Sequence, residues 1–349
     1  MSAPVITAPD SAQQPTPAEH IMQLATGYMA SISIHIVAKL GIPDLLKDGP
    51  RSTADLAAVT ATNEDRLYRV LRALASLGVF AEIAPRQFAL TPAAETLRSD
   101  VEGSIRPMAI WMGDPLHFRV YAEMMHPVKT GQTAFEHLMG KPIFEYFPTD
   151  PAESEVFNDA MTCFSGMTLP AILEAYDFSG IGTLMDVAGG HGALLRAILN
   201  KYPAMRGIVT DLQHVIDRAK RLPENQAIAH RCEFVHADFF ASVPHHADAI
   251  IMKHIIHDWD DHEATLILRN CRKELAGKAG AKILLVEPVI SPGNAPELGK
   301  FMDIEMMVLP GGRERTEEEF ARLFAAAGLR LNRVVRTKSP VCVVEGVVA

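Results

Sequence analysis

Hydrophobic positions change their spacing along the chain, and the change separates two kinds of structure. In "NEDRLYRVLRALASLGVF", Leu67, Val70, Leu71, Leu74 and Leu77 recur at intervals of three and four with charged residues opposite, which predicts an amphipathic helix. Asn63 is placed to cap it and Gly78 to stop it. A shorter helix from Thr53 precedes it across a polar turn at Thr60 to Asn63, and two short strands, "VFAEI" and "FALT", follow it. Together these elements read as a winged helix. That scaffold can enter DNA, pack a dimer or close over a small-molecule site. Arg66, Arg69 and Arg72 on its exposed face are offset by Glu64 and Asp65, which weighs against DNA.

From Gly182 the pattern becomes short continuous apolar runs alternating with helical stretches. The runs "TLMDV", "GIVTDL", "CEFVHADF", "ADAIIMK" and "AKILLVEPVI" alternate with helices in "GALLRAILNKY", "VIDRAKRL" and "HEATLILRNCRKEL". Apolar strands between helices predict a parallel sheet covered on both faces, a doubly wound α/β fold. The spacing Thr316 to Glu319 predicts a capping box at the start of the last helix, and "LRLNRVVR" and "VCVVEGVV" are expected as an antiparallel edge pair. Residues 101–178 are expected to be a helical linker rich in Met and aromatic residues, suited to an apolar pocket or an ordinary core. Ahead of the winged helix, "IMQLATGYMASISIHIVAKL" carries Gln23, His35 and Lys39 and reads as a buried helix rather than a membrane span. The expected boundaries are a disordered tail over 1–20, a first domain over 21–100, the linker over 101–178 and the sheet domain over 179–349.

Composition narrows the function. A net charge of -9 and no Lys or Arg run longer than two argue against a nucleic-acid partner. Cys163, Cys232, Cys271 and Cys342 lack the spacing of a zinc site or a disulfide framework, which fits a reducing, cytoplasmic setting and no metal.

The candidate chemistry lies at the strand ends. "MDVAGGHG" turns the first strand into a helix through Gly189, Gly190 and Gly192, with Asp186 inside the strand. Glycine there lets main chain approach a ligand closely, and Asp211, ending the second strand, can accept hydrogen bonds from ribose. Asp238 and Phe239 offer an acceptor and an apolar face for adenine. No dinucleotide fingerprint or phosphate-cradling Lys is present, so the ligand these ends suit is S-adenosylmethionine. In "KHIIHDWDD", His254 and His257 lack the zinc-helix spacing, and Asp260 and Asp261 read as a charged helix start.

With "MDVAGGHG", "VTDLQHVI", "HADFFASVP", "DAIIMKHIIHDWDD", "LLVEPVI", "PGGRERTEEEF" and "FNDAM" in this order, the chain after its first twenty residues resembles the small-molecule O-methyltransferases of the plant caffeate and flavonoid type, which also occur in bacterial secondary metabolism. The resemblance implies an N-terminal winged-helix dimerisation module, a homodimer and a small aromatic acceptor, with no nucleic acid or membrane partner. It implies that Asp186, Gly189, Gly190, Gly192, Asp211, Leu212, Asp238, Phe239 and Lys253 bind the cofactor, Lys253 on the adenine side. It makes His257 the general base, followed by Asp258, with Glu287 and Glu314 holding the ring. Phe157, Met161, Phe164, Met306 and Met307 fall on substrate-contacting positions. Two departures are visible: Ala188 replaces the usual first glycine, and His254 stands where many relatives carry Trp, which alters the substrate wall and makes His254 a candidate substrate-binding residue, with a substrate hydrogen bond, a second base and packing as its open roles. The expected reaction is methyl transfer to a phenolic hydroxyl. Nitrogen or carbon methylation of a heteroaromatic, a non-methylating relative and a ligand-responsive DNA-binding regulator are the alternatives.

Overall fold

The computed structural model describes residues 15–244, 247–278 and 280–348, in two compact units that divide after Pro115. Most of the expected tail, 1–14, lies outside the described residues. Pro17 to His20, read as part of that tail, instead begin the helix Pro17–Lys39. Thr16 and Glu19 form a capping box there, with Glu19 Oε2 accepting from the Thr16 amide at 2.8 Å. This helix is long and apolar enough to cross a membrane by length and composition alone. The expectation that it is buried fails over its first half, where Ile21, Met22, Leu24, Tyr28 and Met29 are all exposed. Burial is confined to its last turns, around Val37 and Ala38, where His35 Nδ1 bonds the Ile110 carbonyl at 2.8 Å.

The rest of the first unit follows the pattern of its apolar residues. Helices Thr53–Thr60 and Glu64–Ser76 pack through Leu56, Leu67, Leu71 and Leu74 on Phe80 and Phe88. Asn63 Oδ1 accepts from the Arg66 amide at 3.1 Å, and Gly78 turns the chain with φ 76°. Because the helix ends before Gly78, Leu77 falls off its buried face and is exposed. The wing has a third strand: β1 (Arg51–Ser52) pairs with β3 (Gln87–Leu90), which pairs with β2 (Phe80–Ala84), all antiparallel.

The second unit is built on seven strands: β4 (Thr183–Val187), β5 (Arg206–Asp211), β6 (Cys232–His236), β7 (Ala249–Lys253), β8 (Lys282–Glu287), β9 (Leu329–Arg336) and β10 (Cys342–Val348). Their order is β6-β5-β4-β7-β8-β10-β9, with β4 to β8 parallel. Alternate residues feed two cores, Leu184 and Ile251 on one face, Met185 and Ile250 on the other, because successive side chains of a strand point to opposite faces. β9 and β10 pair antiparallel at one edge of the sheet as expected, with β9 outermost and β10 between β9 and β8. The run "VCVVEGVV" is apolar on both faces and needs cover on both, whereas β9 alternates charged residues and tolerates the edge. Strand order reverses at β4, and the crevice at that reversal is where ligands bind in open α/β sheets.

Candidate active site

The turn after β4 is shaped by backbone that few side chains accept. Ala188, Gly190 and Gly192 have φ of 54°, 58° and 78°, so the alanine keeps the left-handed turn of the glycine it replaces, at roughly 1 kcal/mol. Gly189 is fixed by contact, since a Cβ would fall 2.6 Å from Asp186 Cγ. Asp186 is buried, its Oδ2 has no hydrogen-bond partner, and burial pushes its pKa up to about 7. At the end of β5, Asp211 Oδ2 accepts from the Gly190 amide at 2.9 Å and Oδ1 from the Leu212 amide at 2.7 Å. Burial also holds the Asp211 carboxyl above its ordinary pKa. Each of its oxygens keeps a second lone pair for a ligand. An orphaned carboxylate under bare main chain, beside a fixed acceptor, fits a ligand with a cationic end and sugar hydroxyls.

The other expected cofactor residues are less enclosed. Leu212 and Asp238 are exposed; Asp238 Oδ1 accepts from the Phe240 amide at 2.9 Å, and Phe239 meets Trp259 edge-on at 6.0 Å. Lys253 Nζ donates to Ser165 Oγ at 2.8 Å, on helix Pro151–Ala175. Burial draws its pKa down to about 8 against the pull of Asp186 and Glu287.

A second cluster lies beyond β7 and β8. His257, in the short 3-10 turn Ile256–Asp258, is buried, with Nδ1 2.8 Å from Glu314 Oε1 and 3.6 Å from Glu287 Oε2. Its Nε2 lies 3.6 Å from Asp258 Oδ1. Glu287 closes β8 fully buried, and its Oε1 accepts from the amides of Ile255 and Ile256 at 3.1 and 2.9 Å. Burial alone would drive the proton off His257, but Glu287, then Glu314 and Asp258, outweigh it and hold its pKa above the usual imidazole range. Burial raises the Glu287 and Asp258 carboxyls in turn. Ligand atoms of His254, His257 and Glu287 lie within 4.8 Å of one another, a grouping that the linear spacing does not reveal. The sequence reading placed no metal there.

Sequence reasoning named the carboxylates beside the His257 ring but passed over the contacts that hold its backbone in place. A Cβ on Gly312 would stand 1.9 Å from the His257 carbonyl oxygen, so two stretches of backbone touch there. The Arg313 amide donates to that same oxygen at 2.8 Å. Arg315, 1% exposed, donates to the carbonyls of Ile256 and Trp259 at 3.1 and 2.9 Å and pairs with Asp261 Oδ1 at 2.8 Å. Asp260 caps the helix Asp261–Glu274 as expected, whereas Asp261 also anchors Arg315. Glu314 is set in turn by Asp303 Oδ1, which accepts its amide at 2.8 Å. The paired glycines and buried-arginine spacing of "PGGRERTEEEF" were the available signal.

A model of the O-methyltransferase domain matches residues 121–330, and one of the O-methyltransferase dimerisation domain matches residues 22–100. The chain belongs to the O-methyltransferase family. It is 43% identical over 326 residues to the phenazine O-methyltransferase PhzM of Lysobacter antibioticus, covering 93% of this chain and 94% of that one. A crystal structure of LaPhzM superposes with a TM-score of 0.89 at 41% identity, covering 96% of this chain and all of that one (100%). CalO1, a methyltransferase of calicheamicin biosynthesis in its S-adenosylhomocysteine-bound form, superposes with a TM-score of 0.84 at 34% identity, covering 97% of this chain and 100% of that one.

This O-methyltransferase uses S-adenosylmethionine, in keeping with the fit of the β4 and β5 ends, and carries a dimerisation domain. On helix Pro151–Ala175, Phe157, Met161 and Phe164 share one face by their spacing of four and three. Phe164 lies 5.0 Å from the His254 ring, while Phe157 stacks on Phe147 at 4.6 Å. Met306 is buried and Met307 half-buried on helix Leu298–Val308, which also carries Asp303. The methyltransferase should lose cofactor affinity when Asp211 is replaced by alanine. Removing charged hydrogen bonds worth about 1.5–3 kcal/mol predicts at least about tenfold weaker S-adenosylhomocysteine binding by titration calorimetry. Unchanged affinity would show that Asp211 does not contact the cofactor.

Proposed function

We propose that this methyltransferase acts on a phenolic hydroxyl of a planar aromatic small molecule in secondary metabolism, as a homodimer, with His257 as general base. The observation that carries the reading is the buried His257 Nδ1 hydrogen bond to Glu314, which leaves Nε2 for a substrate. Bound S-adenosylmethionine supplies a methyl group already activated on a sulfonium. The chain must then align the acceptor and unmask its oxygen. Holding a phenol as phenolate at pH 7 costs about 4 kcal/mol, taking tyrosine as model. His257 relieves that cost by taking the proton on Nε2 as the bond forms, and Glu314 and Glu287 stabilise the resulting imidazolium.

Asp186, Gly189, Gly190, Gly192, Asp211 and Leu212 would hold the cofactor's amino-acid and ribose parts, with Asp238, Phe239 and Lys253 on the adenine side. Phe157, Met161, Phe164, Met306 and Met307 would grip the flat ring. The exposed apolar residues from Ile21 to Met29 suit burial against a second copy of the chain. Similarity to a phenazine O-methyltransferase supports a fused, planar acceptor. A screen of aromatic phenols and heteroaromatics with isotope-labelled cofactor, read by mass, tests the reading. Label appearing only on nitrogen or carbon, or on nothing aromatic, would refute it.

The carboxylates around His257 also set a pH dependence. A raised ring pKa keeps the proton on His257 through neutrality, so the form able to accept the phenol proton becomes more abundant as pH rises. The expected profile of kcat/KM climbs above pH 7, by up to about tenfold per unit, before it levels. Glu314→Gln should bring the inflection to lower pH. A profile already flat from pH 6.5 upward would show that His257 is not the titrating base.

A further inference from the structure

His254 has no task in that reaction, yet its geometry is unusual in three ways. Its backbone sits at φ 54°, left-handed for a residue that carries a Cβ. Both ring nitrogens are buried without a hydrogen-bond partner. Buried polar atoms seldom stay unpaired, and strained backbone concentrates at functional sites. Finally, its ring lies 5.0 Å from that of His257 and 5.0 Å from that of Phe164.

The two imidazoles are arranged alike. Glu287 Oε2 lies 3.8 Å from Nδ1 of His254 and 3.6 Å from Nδ1 of His257. Nε2 is therefore, in each, the nitrogen left for a ligand. Their states differ: burial, then the charges of Lys253 and His257, push the pKa of His254 well below that of ordinary imidazole. It is a neutral ring with one donor and one acceptor, unsuited to be a second base but suited to recognise a heteroatom.

We propose that His254 is the specificity contact of this methyltransferase, its Nε2 hydrogen-bonding an oxygen or nitrogen adjacent to the hydroxyl that His257 receives. The acceptor class is then an aromatic ring with a heteroatom vicinal or peri to the methylated hydroxyl: a catechol, an ortho-hydroxy carboxylate or a hydroxyl beside a ring nitrogen. Two heteroatoms so placed lie within one hydrogen-bond length of each other. Neighbouring imidazoles can hold them together. A lone phenol would leave the buried ring unpaired, which is how a polar site discriminates against an analogue lacking its partner. The proposal rests on the phenol reading above.

The test uses two matched pairs, 8-hydroxyquinoline with 1-naphthol and catechol with phenol. Turnover is measured with S-adenosylmethionine, and binding to the S-adenosylhomocysteine-loaded enzyme by calorimetry. The wild type should favour the first member of each pair by at least about tenfold in kcat/KM or in affinity. His254→Phe should bring that ratio close to one, and His254→Gln should restore part of it. S-adenosylhomocysteine affinity, which reports an intact cofactor domain, should stay that of wild type. A wild type without the preference, or a preference kept by His254→Phe, overturns the proposal; so does a wild type that neither binds nor methylates any probe. Methylation of the phenols without preference would leave the phenol reading standing. A preference in binding with no phenol methylated would sink that reading alone.

Discussion

His257→Ala is expected to lower kcat/KM for a phenol by about 100- to 10,000-fold, the range over which a positioned general base contributes. The ring is anchored on one side only: Nδ1 is held by Glu314 at 2.8 Å and overlooked by Glu287, so alanine removes the proposed proton acceptor while leaving two buried carboxyl groups and the half-buried Asp258. Those groups can take up protons, which keeps the fold but offers a poorer base. S-adenosylhomocysteine affinity should be retained, because the acceptors proposed for it are on β4 and β5. Single-turnover kinetics with a phenol acceptor, paired with calorimetry of cofactor binding, checks both halves. Wild-type turnover in the variant would mean that the acceptor presents a free lone pair without help, as a nitrogen nucleophile does. Loss of cofactor affinity along with turnover would mean that His257 supports the fold rather than the reaction.

Gly312→Ala is expected to cost nearly as much, although residue 312 has no functional group. Its Cβ would stand 1.9 Å from the His257 carbonyl oxygen, 2.3 Å from the Asp258 carbonyl carbon and 2.6 Å from the Trp259 amide nitrogen. All three are backbone atoms. No side chain can swing away to make room, so one of the two segments must move. Arg313 and Arg315 tie the segments together through the carbonyls of Ile256, His257 and Trp259, and a shift therefore carries the imidazole away from Glu314. Misplacement of a catalytic group by about 1 Å can cost roughly 100-fold in rate. Overpacking of this kind also costs about 1–3 kcal/mol, or on the order of 2–4 °C in melting temperature per kcal/mol for a domain this size. The expected result is a loss of kcat of at least about 100-fold with a modest fall in melting temperature and cofactor affinity preserved. A variant with wild-type kcat would show that the backbone contact has slack and that Glu314 alone positions the ring.

The cofactor side was legible in the chain because its signals are local. A strand, a glycine turn and an acid at the end of the next strand follow one another within thirty residues, and the backbone demands at Gly190 and Gly192 are written into residue type. The capping residues Asn63, Asp260 and Thr316 were equally readable, since a cap bonds only three residues ahead. Where sequence reading failed, the missing information was what lies alongside. The helix Pro17–Lys39 has the composition of a buried element, but its first half is exposed in the single chain. The hairpin of β9 and β10 was readable because its strands are adjacent in sequence, while the second neighbour of β10, β8, is reached only by long-range pairing. β1, two residues long, has too little pattern to announce itself.

The sequence by itself determined the two kinds of domain, the parallel sheet, the glycine corner with Asp211, and, through ordered motifs, the family. Spacing along a strand or helix encodes these, because periodicity and turn chemistry act between residues a few positions apart. Tertiary structure alone decided that Glu287 Oε2 stands between two histidines, that Gly312 touches the backbone of His257, and that Arg315 is buried against the loop it braces. Those relations join residues separated by about thirty to sixty positions. They exist only once the sheet brings the ends of β7 and β8 and the segment before the last helix to the same point.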